Sequence, residues 1–206
     1  GTDGHFLKTQ GASANPVWAA GAGGGATDIN GLSDALVENN SIWLGNDPSS
    51  TTDTASYSVA LGTTALDAIT TGDNNTAIGY DALSANNSGY YNTAVGRGAL
   101  AVNTSGFNNI AVGYLAQTAT TTGSKNVGMG DWALASNTTG TNNSAVGHEA
   151  LGTSSTGANN TGLGYQALVA NTTGAQNTAV GALAGDANTT GSYITGVGYG
   201  ALGANT

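Results

Sequence analysis

Large apolar residues recur along this chain at one interval. Leu44, Leu61, Ile78, Val95, Val112, Met129, Val146, Leu163, Val180 and Val197 stand 17 residues apart, and a glycine follows each of them, from Gly45 to Gly198. Ten copies run without an insertion. With that glycine as position zero, the consensus reads N-T-A-V-G-Y-x-A-L-x-x-N-T-T-G-x-N. A period so short and so long sustained predicts an all-β, parallel β-solenoid over 41–206, with one coil per 17 residues.

Within each copy the pattern predicts where the chain runs straight and where it turns. The residue two before the glycine is Trp43 in the first copy and then only Ala or Gly: Ala60, Ala77, Ala94, Ala111, Gly128, Ala145, Gly162, Ala179 and Gly196. Successive residues of a strand point to opposite sides. The segment therefore predicts a short strand with large apolar groups on one face and almost no side chain on the other. The large face is expected to form the core, and the bare Ala/Gly face to lie against the backbone of a neighbouring chain. Three positions after the glycine comes Ala, from Ala65 to Ala201. Leu66, Leu83, Leu100, Leu134, Leu151, Leu168 or Leu202 follows, with Gln117 and Gly185 as departures. This predicts a second short strand adding one large side chain per coil to the same core. Gly72, Gly89, Gly106, Gly123, Gly140, Gly157, Gly174 and Gly191, ten positions on, predict a left-handed backbone turning into the next coil. Asn75, Asn92, Asn109, Asn126, Asn143, Asn160 and Asn177 predict a hydrogen-bonded ladder along one corner.

Each coil adds about 4.8 Å, so the array is expected to be a rod of roughly 45 Å. Two large side chains make a thin core against a backbone ordering cost of roughly 1–2 kcal/mol per residue. Chains wound about a common axis are expected to complete it.

The region before the array divides at 26. In 1–26, "GHFLKTQGASANPVWA" places two apolar runs around a Gly/Ala/Ser/Asn connection and predicts a β-hairpin, followed by the flexible linker "AAGAGGGA". In 27–40, "TDINGLSDALVE" spaces Ile29, Leu32 and Leu36 as a helix would, with Asp28 as a possible N-cap and Gly31 against it. A short helix or an extended adapter is expected there, which with Trp43 caps the open edge of the first coil.

Composition narrows the function classes. Only 7% of the 206 residues are charged, 34 are Gly, and the net charge is −9. Disordered chains keep themselves solvated with charge, so this composition argues for order. Three Lys/Arg against twelve Asp/Glu cannot neutralise a phosphate backbone, which excludes nucleic acid as a partner. There is no cysteine, hence no disulfide and no thiolate metal site. No apolar run of about 18 residues is present to insert in a membrane. "GTDGHFLKTQ" lacks the basic and apolar regions of a leader, and the chain reads as a segment of something longer.

Candidate chemistry is sparse. His148 and Glu149 are adjacent, but the nearest acid in register, Asp131 beside Trp132, lies a coil away, and His5 has no evident partner. The expectation is no catalytic residue and no enzyme, since a polysaccharide-cleaving β-helix would need paired carboxylates in a groove. Asp47, Asp53, Asp67 and Asp73 offer the oxygen ligands that Ca²⁺ prefers, but without a calcium-binding nonapeptide no metal or cofactor is expected. Tyr80, Tyr114, Tyr165 and Tyr199 follow the period glycine, and Tyr90, Tyr91, Phe107 and Tyr193 fall in the long turn. Such aromatics either stack on sugars or, in a shaft, cover the groove between subunits, and packing is the expected role. The N-x-S/T pattern at Asn39, Asn74, Asn86, Asn103, Asn137, Asn142, Asn159, Asn171 and Asn188 is generated by the repeat itself. Adjacent threonines in "NTT" would point to opposite sides, which argues against an ice-binding face.

The core of each coil, as in "NTAIGYDAL" and "NSAVGHEAL", resembles the head repeats of trimeric autotransporter adhesins. The fuller "NTAVG…AL…NTTG" form is similar to repeats in phage tail fibres, and "GHFLKTQGASANPVWA" to a short module of such fibres. The resemblance implies a left-handed β-roll in a three-chain bundle. It also implies a structural fibre segment of a virion, spacing or presenting a host-receptor-binding tip, with other fibre or virion proteins at its ends and cell-surface glycans as possible contacts. The alternative is the head of a bacterial surface adhesin or extracellular filament.

Overall fold

A computed structural model describes residues 41–44 and 54–204 in full, and the backbone of 5–8, 17–20 and 35–38. Strands β1 (His5–Lys8) and β2 (Val17–Ala20) pair antiparallel, Lys8 opposite Val17. Strand β3 (Ala35–Glu38) pairs antiparallel with β4 (Ser41–Leu44). From β4 onward every strand is parallel to the last. They are β5 (Val59–Leu61), β6 (Thr76–Ile78), β7 (Thr93–Val95), β8 (Ile110–Val112) and β9 (Val127–Met129). β10 (Ser144–Val146), β11 (Thr161–Leu163), β12 (Thr178–Val180) and β13 (Thr195–Val197) follow in the same sense. The strands stack in chain order, each residue pairing with its equivalent 17 positions on, as Ala94 with Ala111. This is the β-solenoid that the period predicts, with no helix among the described residues. The residues 35–38 form a strand on the edge of β4 and not a helix; residues 27–34 lie outside those described.

Three corrections to the sequence-based expectations have one physical origin, the narrowness of the coil. The first concerns which face is inside. Ala77, Ala94, Ala111, Ala145 and Ala179 are completely buried, whereas Leu61 is 46%, Met129 43% and Val197 71% exposed. The Ala/Gly column thus points into the coil and the Val/Leu/Ile column out of it, the reverse of the expectation. The lumen is already occupied: Leu66, Leu83, Leu100, Leu134, Leu151 and Leu168 fill it from the opposite wall with no exposure. A Cβ on Gly162 would sit 3.3 Å from Leu151 Cγ, and one on Gly128 2.9 Å from Gln117 Cγ. Between that wall and the strand there is room for a methyl group and little more.

The second correction concerns the predicted second strand. Ala65 to Ala201 and the leucines after them lie in turns, so each coil has one strand. The leucines adopt left-handed backbone, φ 51–58°, as at Leu83 (51°) and Leu202 (58°). The turns still stack through backbone bonds to the next coil, such as Leu83 N–H to Ala99 O (3.0 Å) and Leu100 N–H to Ala116 O (3.1 Å).

The third concerns the glycines. Left-handed backbone falls on the glycine that ends each strand, φ 131° at Gly96 and 136° at Gly113, and not on Gly72 or its equivalents. Those are glycine because the coils approach too closely for anything larger. A Cβ on Gly106 would lie 2.3 Å from Gly123 O and 2.4 Å from Asn103 Oδ1.

The asparagine ladder forms, and it is buried. Asn92 N–H donates to Asn75 Oδ1, Asn109 N–H to Asn92 Oδ1 and Asn126 N–H to Asn109 Oδ1, each at 3.0 Å. Every Nδ2 donates to a glycine carbonyl, as Asn109 to Gly123 O at 2.8 Å. A second ladder runs through Asn86, Asn103, Asn137, Asn171 and Asn188, also buried, with Asn103 Nδ2 donating to Asn86 Oδ1 (2.8 Å) and Gly106 O (3.1 Å). Two amides thus converge on one glycine carbonyl and satisfy polar groups that burial would otherwise penalise. The second ladder breaks at Thr120 and Ser154, whose hydroxyls are too short to bridge. Asn103 Oδ1 and Asn137 Oδ1 are left without partners there.

Candidate functional site

Three features of the outer surface arise from the coil geometry. The first is the outward column itself. Leu61, Ile78, Met129, Val146, Leu163 and Val197 are exposed, and Val59 and Ile110, two residues earlier on the same strand face, join them. Every residue in these two columns is apolar, Ser or Thr, so an uncharged apolar stripe follows the whole stack. Isolated apolar residues on a surface are ordinary; a continuous stripe of this extent is not.

The second feature is a set of aromatic and cationic contacts between successive coils. Arg97 lies between the rings of Tyr80 (5.7 Å) and Tyr114 (5.5 Å), and its Nη1 donates to Tyr114 Oη at 3.0 Å. Tyr114 meets Trp132 edge to face at 5.7 Å, and His148 stacks on Tyr165 at the same distance. In the long turn, Tyr90 stacks on Phe107 at 5.0 Å, with Lys125 6.0 Å from the Phe107 ring. Many of the tyrosines singled out in the sequence are thus packed against the neighbouring coil of their own chain, each contact contributing about 0.5–1.5 kcal/mol. All of these tyrosines keep exposed surface, Tyr193 (77%) and Tyr199 (81%) the most.

The third feature is a groove of 390 Å³ beside Trp132 and Glu149, which occupy the same position on adjacent coils. Its floor is Ala135 and Gly152, where the coils on either side carry Thr118 and Val169. Two small residues in one column therefore open a depression that the flanking coils close. Ser136 and Thr153 complete the lining. The Trp132 side chain is 40% exposed. Glu149 accepts a hydrogen bond from Gln166 Nε2 at 2.5 Å and stands 3.9 Å from His148 Nδ1. Sequence reading named Trp132 and Glu149 but missed the groove between them. The available signal was Ala135 and Gly152 on consecutive coils, flanked in the same column by Thr118 and Val169.

The other candidate residues do not converge. Asp131 Oδ1 accepts from the Tyr114 N–H (2.9 Å) and is not paired with Glu149. Asp73 Oδ1 accepts from the Ser56 N–H (2.8 Å), and no group of three His, Asp or Glu among the described residues has the geometry to hold a metal. Asp47, Asp53 and Asn39 lie outside the described residues, as does the side chain of His5. Asn86, Asn103, Asn137, Asn171 and Asn188 are buried in the second ladder, which removes them as glycan acceptors. Asn74, Asn142 and Asn159 are exposed.

Comparison of the chain with protein-family models, curated proteins and solved structures finds no match.

Proposed function

We propose that this chain is a structural fibre segment, of the kind found in a phage tail fibre, which assembles from three copies and holds a host-receptor-binding tip away from the particle. The observation that carries the proposal is the uncharged apolar stripe running the length of the solenoid. A globular partner would match such a stripe at a few points. Another copy of the same chain carries the same residues at the same rise, so each coil meets its equivalent. Copies packed about a common axis bury the valine, leucine and isoleucine columns together and add an apolar core between chains to the filled lumen of each. The count of three, and the virion as location, rest on the resemblance of the repeats to fibre and adhesin sequences. The faces brought together are the reverse of those expected from sequence: the large apolar column meets its neighbours, and the alanine column remains inside each chain.

The groove beside Trp132 favours a second reading, the head of a bacterial surface adhesin whose turns contact the target, because it adds a concave polar and aromatic surface that spacing alone does not need. The assembly is tested by light scattering on the native protein. A mass of three chains is expected, and a stable folded monomer at micromolar concentration overturns the shared stripe.

A further inference from the structure

We infer that the groove formed by Trp132, Ala135, Gly152 and Glu149 is a binding site for an uncharged saccharide. The chemistry of the lining selects the ligand. Trp132 offers an exposed indole, an apolar surface with defined geometry. Glu149 supplies a carboxylate, which when ionised only accepts hydrogen bonds, so the ligand must bring donors. The Ser136 and Thr153 hydroxyls lie along the groove. The Thr153 hydroxyl already donates to Val169 O (2.5 Å), leaving its oxygen to accept. A pyranose has one face of C–H groups and a rim of hydroxyl donors, and so matches an aromatic ring beside acceptors. The volume, 390 Å³, falls within the range of about 300–1,000 Å³ typical of small-ligand sites.

Charge removes one class of sugar. Glu149 lines the groove, Asp131 adjoins Trp132, and the chain carries a net charge of −9, so an acidic sugar would be repelled. The concavity is local. Thr118 and Val169 close it on either side, so it is one binding position and not a property of every coil. Its residues belong to other columns of the repeat than the apolar stripe, and the inference does not depend on how many chains associate.

The test uses the intact protein in its native assembly and four probes: cellohexaose, chitohexaose, an oligogalacturonate and tetramethylammonium. Binding is followed by calorimetry and by saturation-transfer NMR. At least one of the two neutral oligosaccharides is expected to bind with a dissociation constant in the millimolar range, with oligogalacturonate at least about tenfold weaker. Trp132→Ala is expected to weaken binding at least about tenfold, and Gly152→Val, which fills the floor, to abolish it. Circular dichroism of both variants should match the parent, since Trp132 is exposed; should Gly152→Val fail to fold, Trp132→Ala alone decides. The inference is overturned if neither neutral oligosaccharide binds at about 10 mM, or if Trp132→Ala binds as the parent does. Preferential binding of tetramethylammonium would also overturn it, because the groove would then be a cation site using the same ring and carboxylate.

Discussion

Ala145 and Val146 are neighbours on one strand, made by the same repeat, yet Ala145 is fully buried and Val146 is 37% exposed. The contrast holds between the two columns they belong to along the stack. It shows that in a narrow coil the residue facing inward is the one that fits, not the one with more apolar surface. Burying a valine side chain stabilises by roughly 1.5–3 kcal/mol, and a soluble globular strand would therefore turn it inward. Here the leucine from the opposite wall has taken the space, and overpacking a filled core costs about 1–3 kcal/mol. The valine goes outside, where the single chain leaves it partly exposed.

The contrast breaks most clearly under a charge placed in each column. Ala145→Asp should destabilise the coil by about 3 kcal/mol or more, because it buries an unpaired carboxylate. It should reduce the β-sheet circular dichroism of the whole chain. Val146→Asp should leave that signal in place and shift the mass by light scattering toward a single chain. Equal loss of fold in both variants would contradict the assignment of the two faces. A smaller effect is expected where the narrowness is between coils and not across the lumen. Gly106→Ala places a methyl group 2.3 Å from Gly123 O and should lower stability by about 1–3 kcal/mol, read as a drop in the denaturant midpoint. Glycine required only for a left-handed turn would give the same sign. Gly106 is not in that region, so a variant that keeps parental stability would show that the coils can separate there.

The smallest change should be a gain. Thr120 interrupts the second ladder, leaving its own hydroxyl and Asn103 Oδ1 buried without partners. Thr120→Asn should give Asn103 Oδ1 the amide donor that Asn86 Oδ1 receives from Asn103, and raise stability by about 1 kcal/mol. An unchanged or lower midpoint would mean that the ladder amides do not couple from coil to coil.

Much of this was legible in the chain. The 17-residue period set the strand spacing, and the buried leucines after Ala65 and its equivalents stood out by their column. The first asparagine ladder followed from polar identity at one position in seven consecutive copies. The second was hidden because Asn86, Asn103 and their equivalents fall in N-T-T and N-x-S/T patterns that also describe exposed acceptors. Ile69 occupies the same column, and one apolar residue among asparagines was the sign that the column is interior. The groove was less accessible, because it needs Trp132 and Glu149 on adjacent coils together with two small residues several positions along.

What the sequence determined by itself is everything that repetition encodes: the length of the coil, the parallel register, the identity of each column, and the fact that the strand has two unlike faces. Alternation distinguishes the faces but carries no sign. Which one turns inward was decided only by the closed coil, where Leu83, Leu100 and Leu134 share the core with Ala94, Ala111 and Ala145 in a lumen with no space for a second large side chain. Volume inside a coil is a property of two walls at once, and the residues of one strand cannot report the reach of the wall opposite.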